Sequence, residues 1–457
     1  MQSPRVRLYT LLLLGALISI SFFIRMEMLS ATVVRASIIA DARDYFAYAY
    51  NLRHHQVYSR DIQGLPPRSQ RPESDAVRSP GYPIFLSLFM GEAPNQRTLL
   101  WICSAQVLIS TFTVWISYLI YKRFLQSGWA ETAATLTAIS PHLISMNIYL
   151  LTETLFCFAL CVTAWIFSRV TLRPSSLGWL VLGASLGLAN LIRPSLQLFM
   201  LAIAFYFLFH LKFRSGIKAS VLVMAGFMIA VAPWHIRNLA TIEKWSDDRL
   251  QINFLHHGMY PDFMYNSQKE SYGFPYRFDP RSDEISRSTE SVLSEIVDRF
   301  RREPIEQIAW YLLKKPMAFW SWDIVQGQGD VFVYAVSKTP YWDQPIFRFS
   351  HGFMRSLHAL LVLLGFLGCV MACLPAAVQR LSSVGAATAR FISLLLTYYT
   401  ALHMLGFPEP RYSVPLRPFL YGMCLFAASM MWTHVRLRLA GRHAIQATAV
   451  HGDGKLS

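Results

Sequence analysis

Along the 457 residues, apolar runs of membrane-spanning length alternate with short polar links. A helix needs about twenty mostly apolar residues to cross a bilayer. Ten runs qualify or come close: 8–24, 98–120, 129–148, 150–169, 176–192, 195–211, 217–234, 355–374, 388–405 and 413–434. They predict an all-α polytopic membrane protein with about ten transmembrane helices. Tyr82 to Met90 is also apolar but too short to cross, and is expected at the membrane interface. Arg5 and Arg7 precede the first run as in a signal peptide, yet Arg25-Met26-Glu27 follows it in place of a small-x-small cleavage site. The first run therefore reads as an uncleaved span.

Lys and Arg in the short links give these spans a direction. One set of ends carries Arg5, Arg7, Lys122, Arg123, Arg169, Arg173, Lys212, Arg214, Lys218, Arg380, Arg436, Arg438 and Arg442; the opposite links hold little beyond Arg193 and Arg411. Both termini are thus expected in the cytoplasm, and two long segments, about 25–97 and 235–354, outside it. The chain divides into an N-terminal transmembrane module (1–236) that includes the first loop (25–97), a cap (237–354), C-terminal transmembrane helices (355–436) and a cytoplasmic tail (437–457). The cap is expected to hold helices near 283–302 and 304–320, and the last dozen or so residues read as a frayed tail. No internal repeat or low-complexity tract is visible.

Composition agrees. Hydrophobic residues make up 54% and charged residues 15%, well under the quarter usual in soluble domains. The net charge of +15 does not indicate nucleic acid, because the basic residues flank apolar runs and form no stripe or basic tail. Topogenesis and anionic lipid headgroups account for it. All six cysteines lie in apolar runs, so no disulfide framework is implied; Cys157/Cys161 and Cys369/Cys373 have i,i+4 spacing, but small buried thiols are the commoner reading. His54-His55 and His256-His257 are adjacent pairs without the spacing of a helical metal site. No Walker loop, dinucleotide fingerprint, nucleophile elbow or zinc-protease motif stands in a supporting context.

The remaining polar residues carry the chemistry. If 37–50 is helical, Asp41, Asp44, Tyr45 and Tyr48 share one face. Two carboxylates beside aromatic rings suit sugar binding and removal of a hydroxyl proton; a solvated interfacial helix with a tyrosine belt is the competing reading. Arg78, in Arg78-Ser79-Pro80-Gly81-Tyr82-Pro83, suits a phosphate or simple snorkelling to headgroups. Glu153 opens an apolar run, where an acid costs roughly 2.5–3.5 kcal/mol or neutralises itself. It needs a cavity or a partner, for which Arg193 is suited. Arg237, in Pro233-Trp234-His235-Ile236-Arg237-Asn238, and Arg411, in Pro408-Glu409-Pro410-Arg411-Tyr412, suit phosphate recognition or interfacial anchoring. The charge-derived topology puts Asp41, Arg78, Glu153, Arg193, Arg237, Glu409 and Arg411 on one side, the arginine-poor one. Anchoring to lipid would not select that side; an outward-facing polar cavity would.

The order Asp-x-x-x-Tyr, Arg-x-Pro-Gly-Tyr-Pro, Thr-Glu-Thr-Leu-Phe, Leu-Ile-Arg-Pro, Pro-Trp-x-x-Arg-Asn and Pro-Glu-Pro-Arg-Tyr resembles the polyprenyl-phosphate-sugar glycosyltransferases of the membrane C-type fold, which include protein O-mannosyltransferases and lipid A aminoarabinose transferases. The resemblance runs from about 37 to 420 and is faint over 240–350. It implies transfer of a sugar from a polyprenyl-phosphate donor to a lipid, glycan or protein acceptor, at the extracytoplasmic face of the cell membrane. It also implies an essential aspartate in the first loop. Asp41 matches best; many relatives have Asp-Glu where this chain has Asp41-Ala42, which leaves Asp44 as a second candidate. Arg78, with Arg193, Arg237 and Arg411, would bind the donor phosphate; Tyr45, Tyr82, Glu153, Glu409 and Tyr412 would line the site. No cofactor is required by this reading, although a divalent metal is possible. A transporter or flippase of a lipid-linked or anionic substrate and a non-catalytic membrane scaffold are the rivals, but charges at span ends and the absence of a repeat fit a transporter poorly.

Overall fold

The computed structural model describes residues 4–68, 70–91 and 95–452. It is overwhelmingly helical, with one small sheet. In chain order the helices used below are α1 (Pro4–Ala31), α2 (Ala40–His55), α3 (Gly81–Ser87), α4 (Gln96–Tyr121), α5 (Trp129–Ile139), α6 (Glu153–Leu172), α7 (Ser176–Ile192), α8 (Phe199–His210), α9 (Phe213–Ile242), α10 (Arg249–Gly258), α11 (Thr289–Arg302), α12 (Pro345–Cys373), α13 (Ser383–Leu405) and α14 (Arg417–Gly452). Among the described residues six segments are long and apolar enough to cross a membrane: Leu12–Ala31, Gln96–Tyr121, Glu153–Leu172, Phe213–Ile242, Pro345–Cys373 and Pro410–Leu439. Helices α7 and α8 are apolar but shorter, and α13 is long but carries Arg390 and His403. The tail is not frayed up to Gly452, since α14 continues that far; its last residues, 453–457, lie outside the described residues.

Three expected spans differ in how they end or break. The run 129–148 is not one helix: α5 stops at Ile139, Ser140 is extended (ψ 114°), and Pro141 opens a separate short turn, Pro141–Ser145. Proline forces its predecessor out of the α region, and the break leaves the last carbonyls of α5 inside the protein. Arg25 supplies the missing donors. Its side chain is fully buried, gives Nη1 to Ala138 O at 2.9 Å and Ser21 O at 3.1 Å, and gives Nε to Ser110 Oγ at 2.8 Å. The first helix therefore does not end near Arg25 but runs through it to Ala31. The run 195–211 is also shorter than expected, because Arg193-Pro194 ends α7 and Leu196 N donates to Asn190 Oδ1 before α8 begins.

Helices α7 and α9 approach almost backbone to backbone. A Cβ on Gly183 would sit 1.9 Å from Val223 O, and one on Gly226 would sit 2.0 Å from Leu180 O. Small residues at such crossings allow the contact that holds membrane helices together. On the side bearing the long loops, Val33–Val34 pairs antiparallel with Val336–Lys338. That clip ties the chain just before α2 to the segment leading into α12. The helices expected near 283–302 and 304–320 appear as Ser282–Ile285, α11, Pro304–Ala309, a π-turn Trp310–Lys314 and Lys315–Phe319.

Candidate functional site

Helix α2 begins at Ala40 and presents Asp41, Asp44 and Tyr45 together. Its first turn is pinned from the cap segment: Ala42 N donates to the Tyr334 hydroxyl at 3.2 Å. Arg78 arrives from the loop before α3. Tyr58 donates its hydroxyl to Arg78 O at 2.9 Å, and Arg78 N donates to the Tyr48 hydroxyl at 3.3 Å. Tyr48 itself turns away from Asp41 to hydrogen-bond Asp75. Gly81 then lets this loop reach the end of α7, where a Cβ would meet Leu191 C and O and Ile192 N at 2.8 Å. That close approach sets the Arg-x-Pro-Gly-Tyr-Pro segment beside Arg193.

The charges form an alternating chain. Arg78 Nη2 contacts Asp41 Oδ1 at 2.7 Å and Asp44 Oδ2 at 3.0 Å. The other oxygen of Asp41 accepts from Arg411 Nη2 at 2.8 Å. Arg411 Nε pairs with Glu153 Oε1 at 3.3 Å, and Glu153 continues to Arg193 Nη1 at 3.6 Å. Thus Arg78, Asp41, Arg411, Glu153 and Arg193, drawn from five separate stretches of sequence, are linked side by side. Aromatic rings support the cations: Arg193 lies 3.9 Å from the Tyr412 ring centroid and Arg78 5.4 Å from Tyr45. Tyr82 meets Tyr45 edge-on, but its hydroxyl is committed to Gln106 Oε1 at 2.8 Å and its side chain is buried. It supports the site from behind.

The chain grades from wet to dry. Asp41 keeps 26% of its side-chain exposure, whereas Glu153 keeps 2%. Burial pushes the Asp41 carboxyl up, but Arg78 and Arg411 outweigh it and hold the group well below the usual carboxylate range. Burial lifts the Tyr45 phenol to about 12 despite Arg78. Among the described residues Glu153 Oε2 and Arg193 Nη1 are buried without a hydrogen-bond partner. Unsatisfied buried polar atoms are few in folded proteins, so these two set the dry end of the chain apart from its fully bonded wet end.

Two sequence-predicted residues stand apart from this chain. Arg237 gives Nη1 to Asp75 O at 2.8 Å and Nη2 to Tyr58 O at 3.0 Å, and stacks between the Tyr58 and Trp234 rings. It braces the loop that carries Arg78. Glu409 accepts from Val325 N at 3.1 Å and Gln326 N at 3.2 Å, tethering the cap segment. Burial raises its carboxyl to about 7, against the pull of Arg411 and the backbone N–H groups.

Residues to which the sequence assigned no part in this site complete the surroundings. Asp75 takes Tyr48, Arg60 N and Val77 N, and so organises the Arg78 loop. His257 stacks flat on Tyr276 at 3.8 Å. Burial and the charges of His256 and Arg277 hold His257 down at about 3, while Asp41 pulls the other way. Tyr334, His257 and Tyr276 all come from the 237–354 segment, where the motif resemblance is faint. The adjacent histidines are spent separately: His54 on Gly91 O, His55 on Gly64 O and His256 on the Tyr260 hydroxyl. Among the described residues no group of three or more His, Cys, Asp or Glu is placed to hold a metal. The Asp41 donor set also fits a divalent cation poorly, because each of its oxygens already faces a guanidinium.

Residues 78–236 match the sequence profile of the dolichyl-phosphate-mannose-protein mannosyltransferase family. No curated protein matches the chain. The archaeal oligosaccharyltransferase AglB from Archaeoglobus fulgidus, solved with an inhibitory peptide and a dolichol-phosphate, superposes with a TM-score of 0.50 at 12% identity, covering 97% of this chain and 52% of that one. This chain therefore spans about half the length of that protein. ArnT from Cupriavidus metallidurans in the apo state matches with a TM-score of 0.40 at 11% identity, covering 93% of this chain and 77% of that one. The chain is an all-α, multi-pass membrane protein with the C-type glycosyltransferase fold, and over residues 78–236 it is similar to the dolichyl-phosphate-mannose-protein mannosyltransferases.

Proposed function

We propose that this protein transfers a sugar from a polyprenyl-phosphate donor to an acceptor hydroxyl or similar group at the extracytoplasmic face of the membrane. The observation that supports this reading most is Asp41 held between Arg78 and Arg411. A carboxylate clamped by two guanidiniums is a self-neutralised site, complementary to a ligand that brings its own negative charge. A donor phosphate engages Arg78 and Arg411, with Arg193 behind them, and draws the cations off Asp41.

The proton chemistry follows. In the free site the arginines keep Asp41 ionised, which makes it a weak base. As the phosphate takes over the guanidiniums, the Asp41 carboxylate gains basicity while remaining in place. The acceptor oxygen attacks the anomeric carbon, the bond from that carbon to phosphate oxygen breaks, the acceptor proton passes to Asp41, and polyprenyl phosphate leaves. The arginines stabilise the charge that grows on the departing phosphate, a contribution of about 3–4 kcal/mol per well-placed donor. Asp44 holds the second face of Arg78 and aims it. No step is routed through a metal.

Binding of a polyprenyl phosphate to the purified full chain tests the donor role. Arg78→Ala should weaken binding strongly, and Arg237→Ala should act only as far as it disturbs the Arg78 loop. Equal, undiminished binding in Arg78→Ala would refute the assignment.

A further inference from the structure

At the end of α4 remote from the first loop lies a polar cavity of about 220 Å³. It opens between the turn after α4, the turn before α13 and the middle of α14, and its polar lining is Arg123, Gln126, Arg380, Ser382, Ser429 and Thr433. The turns are locked together backbone to backbone, since a Cβ on Gly385 would come within 2.4 Å of Arg123 O.

The cavity concentrates positive charge without neutralising it. Neither Arg123 nor Arg380 has a carboxylate partner among the described residues. Glu131, the acid of the same turn, is committed to Gly128 N, the Tyr118 hydroxyl and Lys122. Arg123 Nε is buried with no hydrogen-bond acceptor among the described residues, and both burial and the like charge of Arg169 hold that guanidinium below its usual range. The hydroxyl of Ser382 accepts from Gly385 N, which leaves its proton to donate. Ser429 and Thr433 give their protons to Phe426 O and Ser429 O. The donors therefore converge from the two turns, and α14 forms the back wall.

Arg123, partly buried, and the exposed Arg380 line this cavity without a carboxylate partner among the described residues, an arrangement that suits an anionic acceptor with several oxygens. The volume is below the roughly 300–1,000 Å³ of a pocket for a drug-sized ligand, so it suits a compact group. We propose that this cavity binds a phosphate group, carried by an anionic lipid headgroup or free in solution, on the membrane face opposite Asp41. Basic pockets between transmembrane helices are suited to lipid phosphates. This site is independent of the sugar-transfer reading and uses none of its residues.

The test is native mass spectrometry of the purified full chain with phosphatidylglycerol, with phosphatidylcholine and with added inorganic phosphate. The wild type should retain phosphatidylglycerol in preference to phosphatidylcholine. Arg123→Gln with Arg380→Gln should reduce that retention at least about tenfold, the loss expected when a charge-assisted hydrogen bond disappears. Ser429→Leu, which fills the cavity and keeps both arginines, should do the same. Arg436→Gln, at an exposed arginine over Trp432 outside the cavity, should change nothing. Displacement of the lipid by millimolar inorganic phosphate would assign the free ion as a ligand, and resistance to displacement would assign the headgroup. Wild-type retention in both cavity variants, or an equal loss in Arg436→Gln, would overturn the proposal.

Discussion

Replacing Arg411 with Met isolates the energetic role of the charge chain. In the wild type Arg411 Nε lies 3.3 Å from Glu153 Oε1 and Nη2 lies 2.8 Å from Asp41 Oδ2. Two unit charges at the first separation attract by about 5 kcal/mol at an effective dielectric constant of 20. The substitution leaves the buried Glu153 with only the 3.6 Å contact to Arg193, while Asp41 keeps Arg78 and some solvent. Most of the cost should therefore fall on Glu153, and removing one partner of a buried pair typically destabilises by about 3–5 kcal/mol. Glu153→Gln in the same background removes the stranded charge and should restore roughly half or more of the loss. Reversible unfolding in mixed micelles of the wild type, both single variants and the double variant gives the coupling energy directly. If Arg411→Met costs less than about 1 kcal/mol, or if the two changes simply add, the alternating chain is not an energetic unit.

Other consequences are simpler to measure. Glu409 has its carboxyl raised from an ordinary 4.5 to about 7. The folded state thus favours its proton, so stability should be fullest below about 4.5 and fall by about 3 kcal/mol as pH rises through 7; Glu409→Gln should flatten that slope in unfolding curves taken from pH 4 to 8. Gly183→Leu drives a side chain into Val223 O and should lower the unfolding temperature by several degrees, whereas Gly15→Leu, with nothing within 4 Å, should leave it within error. Cysteine introduced at position 41 or 122 should be labelled from opposite sides of sealed membranes, and labelling of both from one side would refute the orientation.

The features that were legible in the sequence are those governed by the bilayer. Charge is excluded from hydrocarbon, so the spans and their links are written in composition, and α7 covers the expected 176–192. Acids and arginines at the ends of distant spans read as one cluster once a side was assigned, and Arg78, Asp41, Arg411, Glu153 and Arg193 do meet. What stayed illegible depends on tertiary partners. Arg25 looks like the end of a span, but it is buried because the break at Ser140-Pro141 leaves carbonyls that need donors. Arg237 and Arg78 look alike in sequence, yet one guanidinium is spent on backbone carbonyls and the other on carboxylates. Tyr334 reaches Ala42 N through nearly three hundred intervening residues, and no local pattern marks it.

In the proposed reaction Asp41 acts on the acceptor while the flanking arginines hold the donor phosphate. The most direct measurement is transfer of labelled sugar from a polyprenyl-phosphate donor in membranes containing the wild type or Asp41→Asn at equal expression. The neutral amide keeps the shape but cannot take the acceptor proton, and a positioned base contributes roughly 10²- to 10⁴-fold. Transfer by Asp41→Asn should fall by at least about a hundredfold while the polyprenyl phosphate still binds. Wild-type transfer by a normally folded Asp41→Asn would contradict that role for Asp41.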